Sequence, residues 1–205
     1  MSPVLCLVTD RRRYGRSWED ALVTRVRAAA VEGVHLIQIR ERDLDGGPLT
    51  RVVSACVNAV RGTRTRVLVN GRFDVAIAAG AHGVHLRSDS FPASRVRACA
   101  PPGFLIGRSV HSVSDAVTAA AGDAVNYLIF GTVFDSSSKP DRVAAGLDEL
   151  SAVARATAIP VLAIGGMTFD RIADVLRAGA PARRASACLT CPRTSPNMAA
   201  PHGTA

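Results

Sequence analysis

A chain of 205 residues, 48% hydrophobic and 20% charged, is long enough to bury one sizeable core and has the composition of a soluble globular domain. It carries no apolar run near the roughly 18 residues of a membrane span, and its N-terminal stretch reads as a short strand with no basic segment before it, so neither a membrane partner nor a signal peptide is expected and the protein reads as cytoplasmic. The net charge of +8 does not point to nucleic acid: one lysine, Lys139, stands among 25 basic residues, the arginines are scattered along helices without interleaved aromatics, and an arginine excess suits a small phosphorylated ligand better.

In chain order, Val4–Thr9 is a continuous apolar strand ending in Thr9-Asp10. A helix is predicted from an N-cap at Ser17 through Trp18, Leu22, Val26 and Ala30 to Gly33. Val34–Arg40 is the second strand and Leu49–Val60 the second helix, with Leu49, Val52, Val53, Cys56 and Val60 on one face. Val67–Val69, a short helix stopping at Gly80, and strand Gly83–Leu86 follow. Pro92 opens the next helix at its first turn, and Pro101-Pro102-Gly103 breaks the chain before strand Phe104–Ile106. Helix Val113–Ala121, strand Tyr127–Phe130, helix Leu147–Ala156, strand Ile159–Ile164 and helix Asp170–Ala178 complete seven strand–helix units.

That alternation predicts a parallel sheet covered by helices. No Gly-x-Gly-x-x-Gly follows the first strand, and each strand ends in polar residues, which favours a TIM (β/α)8-type barrel over a dinucleotide-binding sheet. The barrel domain is expected over 1–180. After Ala180 the pattern stops: residues 181–205 hold four prolines and three arginines but no acid, and read as an irregular or disordered tail. The eighth βα unit is therefore expected to be missing or degenerate, through a reading-frame change or a genuine loss; Ala185–Thr190 is its best weak candidate.

Chemistry is expected at the strand ends. Gln38, Arg40 and Arg42 alternate onto one face after the second strand, either as a solvent-facing end or as an anion-binding fork. Asn70-Gly71-Arg72 makes a tight turn with an amide side chain, and Thr132–Lys139 is a hydroxyl-rich loop ending in the lysine. Gly165-Gly166 offers backbone amides before a helix, a phosphate-binding arrangement. His35 and His85 lie inside strands and read as barrel filling, whereas His111 follows the fifth strand among Arg108, Ser109 and Ser112 and is the candidate proton carrier. Cys6, Cys56 and Cys99 read as core residues, and the Cys188/Cys191 pair with a lone His202 is too little for zinc, so no metal site is expected.

Several of these segments together resemble one family. They are Gln38-Ile-Arg40-Glu41-Arg42, Asn70-Gly71-Arg72-Phe-Asp74, Gly83-Val-His85-Leu, Gly107-Arg-Ser109-Val-His111-Ser112, Leu-Ile-Phe-Gly131-Thr-Val-Phe134 and Pro160-Val-Leu-Ala-Ile-Gly165-Gly166. In order, they resemble the thiamine phosphate synthase/TenI superfamily, closest to the TenI-like thiazole tautomerases, which often carry Asn-Gly-Arg and Gly-Arg-Ser-Val-His-Ser. The resemblance implies a (β/α)8 barrel, a phosphorylated thiazole ligand, a role in thiamine biosynthesis and a homo-oligomer. In the tautomerase reading, His111 moves a proton within a carboxythiazole phosphate without cofactor, Gly165 and Gly166 hold the phosphate, and Arg40, Arg42 and Ser109 contact phosphate or carboxylate. The alternative is the synthase, which couples hydroxymethylpyrimidine diphosphate with thiazole phosphate using magnesium. Its usual pattern has Asn-Asp-Arg where Gly71 stands here and Gly-Gln-x-Asp ending where Ser90 stands, so both metal-serving carboxylates are absent from their places. A third reading is a non-catalytic binder or regulator on the same fold.

Overall fold

The computed structural model describes residues 4–122, 124–135 and 143–179, together with the backbone of 185–190. Eight parallel strands close into a barrel in chain order. They are β1 (Leu5–Val8), β2 (Leu36–Ile39), β3 (Arg66–Asn70), β4 (Gly83–Leu86), β5 (Leu105–Val110), β6 (Tyr127–Gly131), β7 (Val161–Ile164) and β8 (Ala185–Thr190). The helices after the first seven strands are α1 (Trp18–Val31), α2 (Gly46–Ala59), α3 (Phe73–Ala78), α4 (Ala93–Cys99), α5 (Val113–Ala120), α6 (Gly146–Ala156) and α7 (Phe169–Ala178). Among the described residues no helix is long and apolar enough to cross a membrane.

The barrel expectation holds, and the strand of its degenerate eighth unit forms at the weak candidate Ala185–Thr190. The eighth strand is present: β8 pairs with β7 (Val161 opposite Ala185) and with β1 (Cys6 opposite Cys188). Its sequence is only weakly apolar, but β1 and β7 would otherwise expose two rows of unpaired backbone groups, and pairing both edges satisfies them. The irregular tail expected from 181 is thus interrupted by a strand at 185–190. Residues 180–184 and 191–205, with Cys191 and His202, lie outside the described residues, as does Lys139.

Side chains along each strand alternate between the barrel interior and the helical layer. Cys6, Val8, Leu36, Leu68, Tyr127, Ile129 and Leu162 form one buried cluster inside the barrel. The intervening residues, such as Leu7, Ile37, Val67, Val69, Val84 and Ile106, join Leu22, Val26 and Val53 of the helices in a second core. Val110, Leu128, Phe130, Val161 and Ala163 do the same with Leu150, Val153 and Val175. Fully burying an aliphatic side chain such as Leu22 or Val26 contributes about 1.5–3 kcal/mol. The interior is filled unevenly: a Cβ at Gly107 would lie 2.0 Å from the Tyr127 ring, so the glycine in β5 makes the space that the tyrosine of β6 occupies.

Two sequence expectations fail locally. Cys6 and Cys56 are buried as expected, but Cys99 is exposed, because α4 turns Val96 and Ala93 to the core and leaves Cys99 on its outer side. Burial pushes the Cys56 thiol up to about 12, which makes it inert. His35 is not barrel filling; it stands exposed before β2, where its Nδ1 accepts the Leu5 amide at 3.2 Å.

Candidate functional site

The inward alternation runs out at the carboxyl ends of the strands, and there it opens a cavity of about 470 Å³. Its strand positions are Val8, Gln38, Asn70, His85, Ser109, Ile129, Gly131 and Ile164; the residues just beyond the strands add a ring of polar groups. Of the residues singled out in the sequence, Gln38, Arg40, Arg42, Asn70, Ser109, His111 and Gly165 all line this one cavity. Gly166 stands next to the lining. A Cβ there would lie 2.3 Å from the Asp135 carbonyl, and its own carbonyl accepts a bond from Arg171 at 2.6 Å. Gly165 is needed for a related reason: its φ is +98°, and a Cβ would lie 2.4 Å from Thr132.

Gln38 is the best-defined polar group of the floor. Its Nε2 donates to Asn70 Oδ1 at 2.8 Å, while its Oε1 is buried without a partner among the described residues. An unpaired buried carbonyl costs about 1–3 kcal/mol, and a donor on a ligand recovers it. Next to it, a clasp ties β1 to the end of β2. Thr9 Oγ1 donates to one Glu41 oxygen and accepts the Arg40 amide at 3.0 Å, and the Arg11 amide donates to the other Glu41 oxygen at 3.0 Å. Glu41 is 5% exposed. The clasp fixes the backbone that carries Arg40 and Arg42 while leaving both guanidinium groups unpaired with any carboxylate among the described residues.

A second network crosses the interior. His85 Nδ1 lies 3.1 Å from the Tyr127 hydroxyl and Nε2 lies 2.8 Å from Ser109 Oγ. Burial pushes the imidazole down to about 3, so it is neutral at physiological pH and serves as a fixed polar strut that orients the Ser109 hydroxyl at the cavity. The unfolded histidine titrates near 6.5 and the native one near 3, so the unfolded chain binds the extra proton in that window. Stability contributed by neutral His85 is complete above about pH 6.5 and lost as the pH falls towards 3, by at most about 1.4 kcal/mol per pH unit. Melting temperatures measured from pH 7 to pH 4 are expected to fall more steeply for the wild type than for His85→Gln. Equal slopes would remove this strut from the acid sensitivity. His82, lowered first by its burial and then by Arg66, acts in the same direction in both proteins.

His111 is held from two sides. Its Nδ1–H donates to the Gly131 carbonyl at 2.7 Å, and its amide donates to Asp115 at 2.9 Å. Asp115 in turn donates its amide to the Ser112 hydroxyl at 3.1 Å, the N-cap of α5. The Nδ1–H tautomer leaves the lone pair on Nε2.

Two arginines of the motifs are structural. Arg108 points away from the barrel interior and donates to the carbonyls of Ser88 at 2.9 Å, Ser90 at 3.0 Å and Phe91 at 3.1 Å, holding the loop between β4 and α4. Arg72 is paired with Asp74. Thr132, the start of the hydroxyl-rich loop, also lines the cavity; sequence reasoning missed Asp10, Arg12, Arg13, Glu41 and Arg87 of the lining, and took His85 for filling alone. The signal that could have found His85 was its period-2 phase with Gly83, shared with Gln38 and Leu36.

The donor set does not fit a dedicated magnesium site. Asp10 is paired with Arg13, and both Glu41 oxygens are occupied. Among the described residues no group of three His, Cys, Asp or Glu side chains is placed to hold a metal ion.

Compared with known proteins, residues 5–183 match the family described as "Thiamine monophosphate synthase". The chain is 42% identical over 178 residues, 86% of its length and 82% of the relative's, to a thiamine-phosphate synthase of Methanoculleus marisnigri. It is 38% identical over 178 residues to one of Roseiflexus castenholzii, covering 86% and 76% of the two chains. A solved structure titled thiamine phosphate pyrophosphorylase, from Pyrococcus furiosus, superposes with a TM-score of 0.77 at 28% identity, over 91% of this chain and 85% of that one.

These likenesses overturn the tautomerase expectation, since the relatives that match along nearly the whole barrel are named as synthases. The geometry explains why the short motifs misled. In Asn-Gly-Arg and Gly-Arg-Ser-Val-His-Ser, Arg72, Arg108 and Ser112 hold a turn, a loop and a helix cap and report local packing, while Asn70, Ser109 and His111 line a cavity whose polar groups do not by themselves separate the two reactions.

Proposed function

The chain belongs to the thiamine monophosphate synthase family, and from that premise we propose that it is a transferase of thiamine biosynthesis, coupling hydroxymethylpyrimidine diphosphate with a thiazole phosphate. The observation that carries this reading is the identity to thiamine-phosphate synthases over 178 residues, together with a family match over residues 5–183 that spans every residue lining the cavity. In the reaction the bond between the pyrimidine methylene carbon and the diphosphate oxygen breaks, with its electron pair leaving on the diphosphate. The thiazole nitrogen supplies the pair for the new carbon–nitrogen bond. The products are thiamine phosphate and diphosphate.

The chain's own residues divide the work by chemistry. Gln38 Oε1 accepts from the amino group that the pyrimidine half of thiamine carries, which satisfies its buried carbonyl. Arg40 and Arg42 meet the leaving diphosphate, where negative charge grows as the bond breaks. The Gly165 backbone, opposite Thr132, receives the thiazole phosphate. Ser109, braced by His85, donates to one of the phosphate oxygens. Holding both reactants in one closed barrel mouth turns an encounter of two molecules into a local step.

Incubation of the purified chain with both substrates, followed by chromatographic detection of thiamine phosphate, is expected to show product and diphosphate in equal amounts. No thiamine phosphate from protein that binds both substrates would reject the transferase reading in favour of a binder.

A further inference from the structure

We infer that Arg87, acting with Arg40 and Arg42, supplies the counter-charge for the diphosphate, a role the synthase pattern gives to a carboxylate-held magnesium ion. The inference rests on the proposed transferase reading. Its starting point is a replacement: Gly71 and Ser90 stand where that pattern places its two aspartates, and Arg87 opens the same loop that ends at Ser90. Both Glu41 oxygens are taken by Thr9 and the Arg11 amide, and among the described residues no three His, Cys, Asp or Glu side chains are placed to hold a metal ion.

The charge at the mouth has instead become cationic. Arg40, Arg42 and Arg87 all line the cavity, with Arg12 and Arg13 from the β1 loop. They are close enough to act on one another: Arg42 is held below the usual guanidinium range by burial first, then by the charges of Arg40 and Arg87. Three like charges around a pocket repel one another until an anion enters, and a diphosphate brings several negative charges to one place. Arg87 is free to turn to it. Its pair with Asp89 is about half exposed, at 50% and 63%, and a screened pair of that kind holds its partners weakly. A guanidinium fork also meets adjacent phosphate oxygens two at a time, as a metal ion bridges them.

Isothermal titration of inorganic pyrophosphate into the full chain tests this, once in EDTA and once with excess magnesium chloride. Binding is expected in EDTA, with a Kd within about threefold of the value in magnesium. Arg87→Ser is expected to weaken the EDTA affinity at least about tenfold, Arg87→Lys less, with melting temperatures unchanged because the side chain is half exposed. Binding seen only with magnesium would overturn the inference and leave the transferase reading standing. Binding in EDTA that is indifferent to Arg87→Ser would overturn the role of Arg87. Pyrophosphate that binds under neither condition would overturn the inference together with the proposed function.

Discussion

Gly107→Ala is expected to destabilise the barrel by about 3 kcal/mol, at the upper end of what overpacking a core costs. The added Cβ would sit 2.0 Å from one Tyr127 ring atom and 2.3 Å from its hydroxyl. Neither group has room to withdraw. Gly107 lies inside β5, paired on one side with His85 and on the other with Tyr127 itself, so the backbone is held by two ladders. Tyr127 is 5% exposed and its hydroxyl is bound to His85. Moving the ring breaks that bond and releases His85, and through it Ser109. Against a total stability of roughly 5–15 kcal/mol, a loss of this size is a fifth to more than half of the whole and is read directly as a lower unfolding midpoint. Urea unfolding followed by circular dichroism measures it. The double variant Gly107→Ala/Tyr127→Leu is expected to recover part of the loss, since it removes the clashing atoms, and additive losses would show that the two positions do not meet. A single-variant loss under about 0.5 kcal/mol would contradict the packing described here.

The second large effect belongs to the chemistry. Arg40→Ala is expected to lower kcat/KM about a hundredfold, or roughly 3 kcal/mol of transition-state stabilisation, the size of a charge-assisted contact to a developing anion. Little stability should go with it. The guanidinium has no carboxylate partner among the described residues, and the clasp of Thr9 and Glu41 holds the Arg40 backbone through its amide, which the substitution keeps. Arg108→Ala should behave in the opposite way. Its three hydrogen bonds to backbone carbonyls of the 88–91 loop make it a fastening, and its loss shows first in the melting temperature. Steady-state kinetics beside thermal melts of the two variants separates the roles. A large kinetic loss for Arg108→Ala at unchanged stability, with a silent Arg40→Ala, would reverse the assignment.

The difference between these arginines marks where reading the sequence stopped. Arg40 and Arg108 both follow an apolar run and stand beside polar neighbours, so their local sequence treats them alike. Strand phase separates them: Arg40 continues the inward series Leu36, Gln38, whereas Arg108 falls between the inward positions Gly107 and Ser109. Arg87 was passed over because nothing in the Leu-Arg-Ser-Asp segment distinguishes a solvated loop from the rim of a cavity. Only barrel closure, which turns the β2 and β4 ends toward one cavity across β3, brings Arg87 to Arg42. The choice between tautomerase and synthase went astray for a related reason. It leaned on two short motifs in which Arg72, Arg108 and Ser112 serve a turn, a loop and a cap, and only Asn70, Ser109 and His111 reach the cavity.

By itself the sequence determined the seven alternating strand–helix units, the barrel class and the strand ends as the place of chemistry. Those follow from hydrophobic period and turn residues, which are local properties of the chain. The tertiary structure decided what depends on neighbours distant in sequence. It recruited the weakly apolar Ala185–Thr190 as β8, because two open edges needed hydrogen-bond partners. It joined His85 to Tyr127 and Ser109 across three strands, and gathered Arg40, Arg42 and Arg87 around one cavity. Barrel closure sets which strand ends face one another, and no local pattern along the chain carries that information.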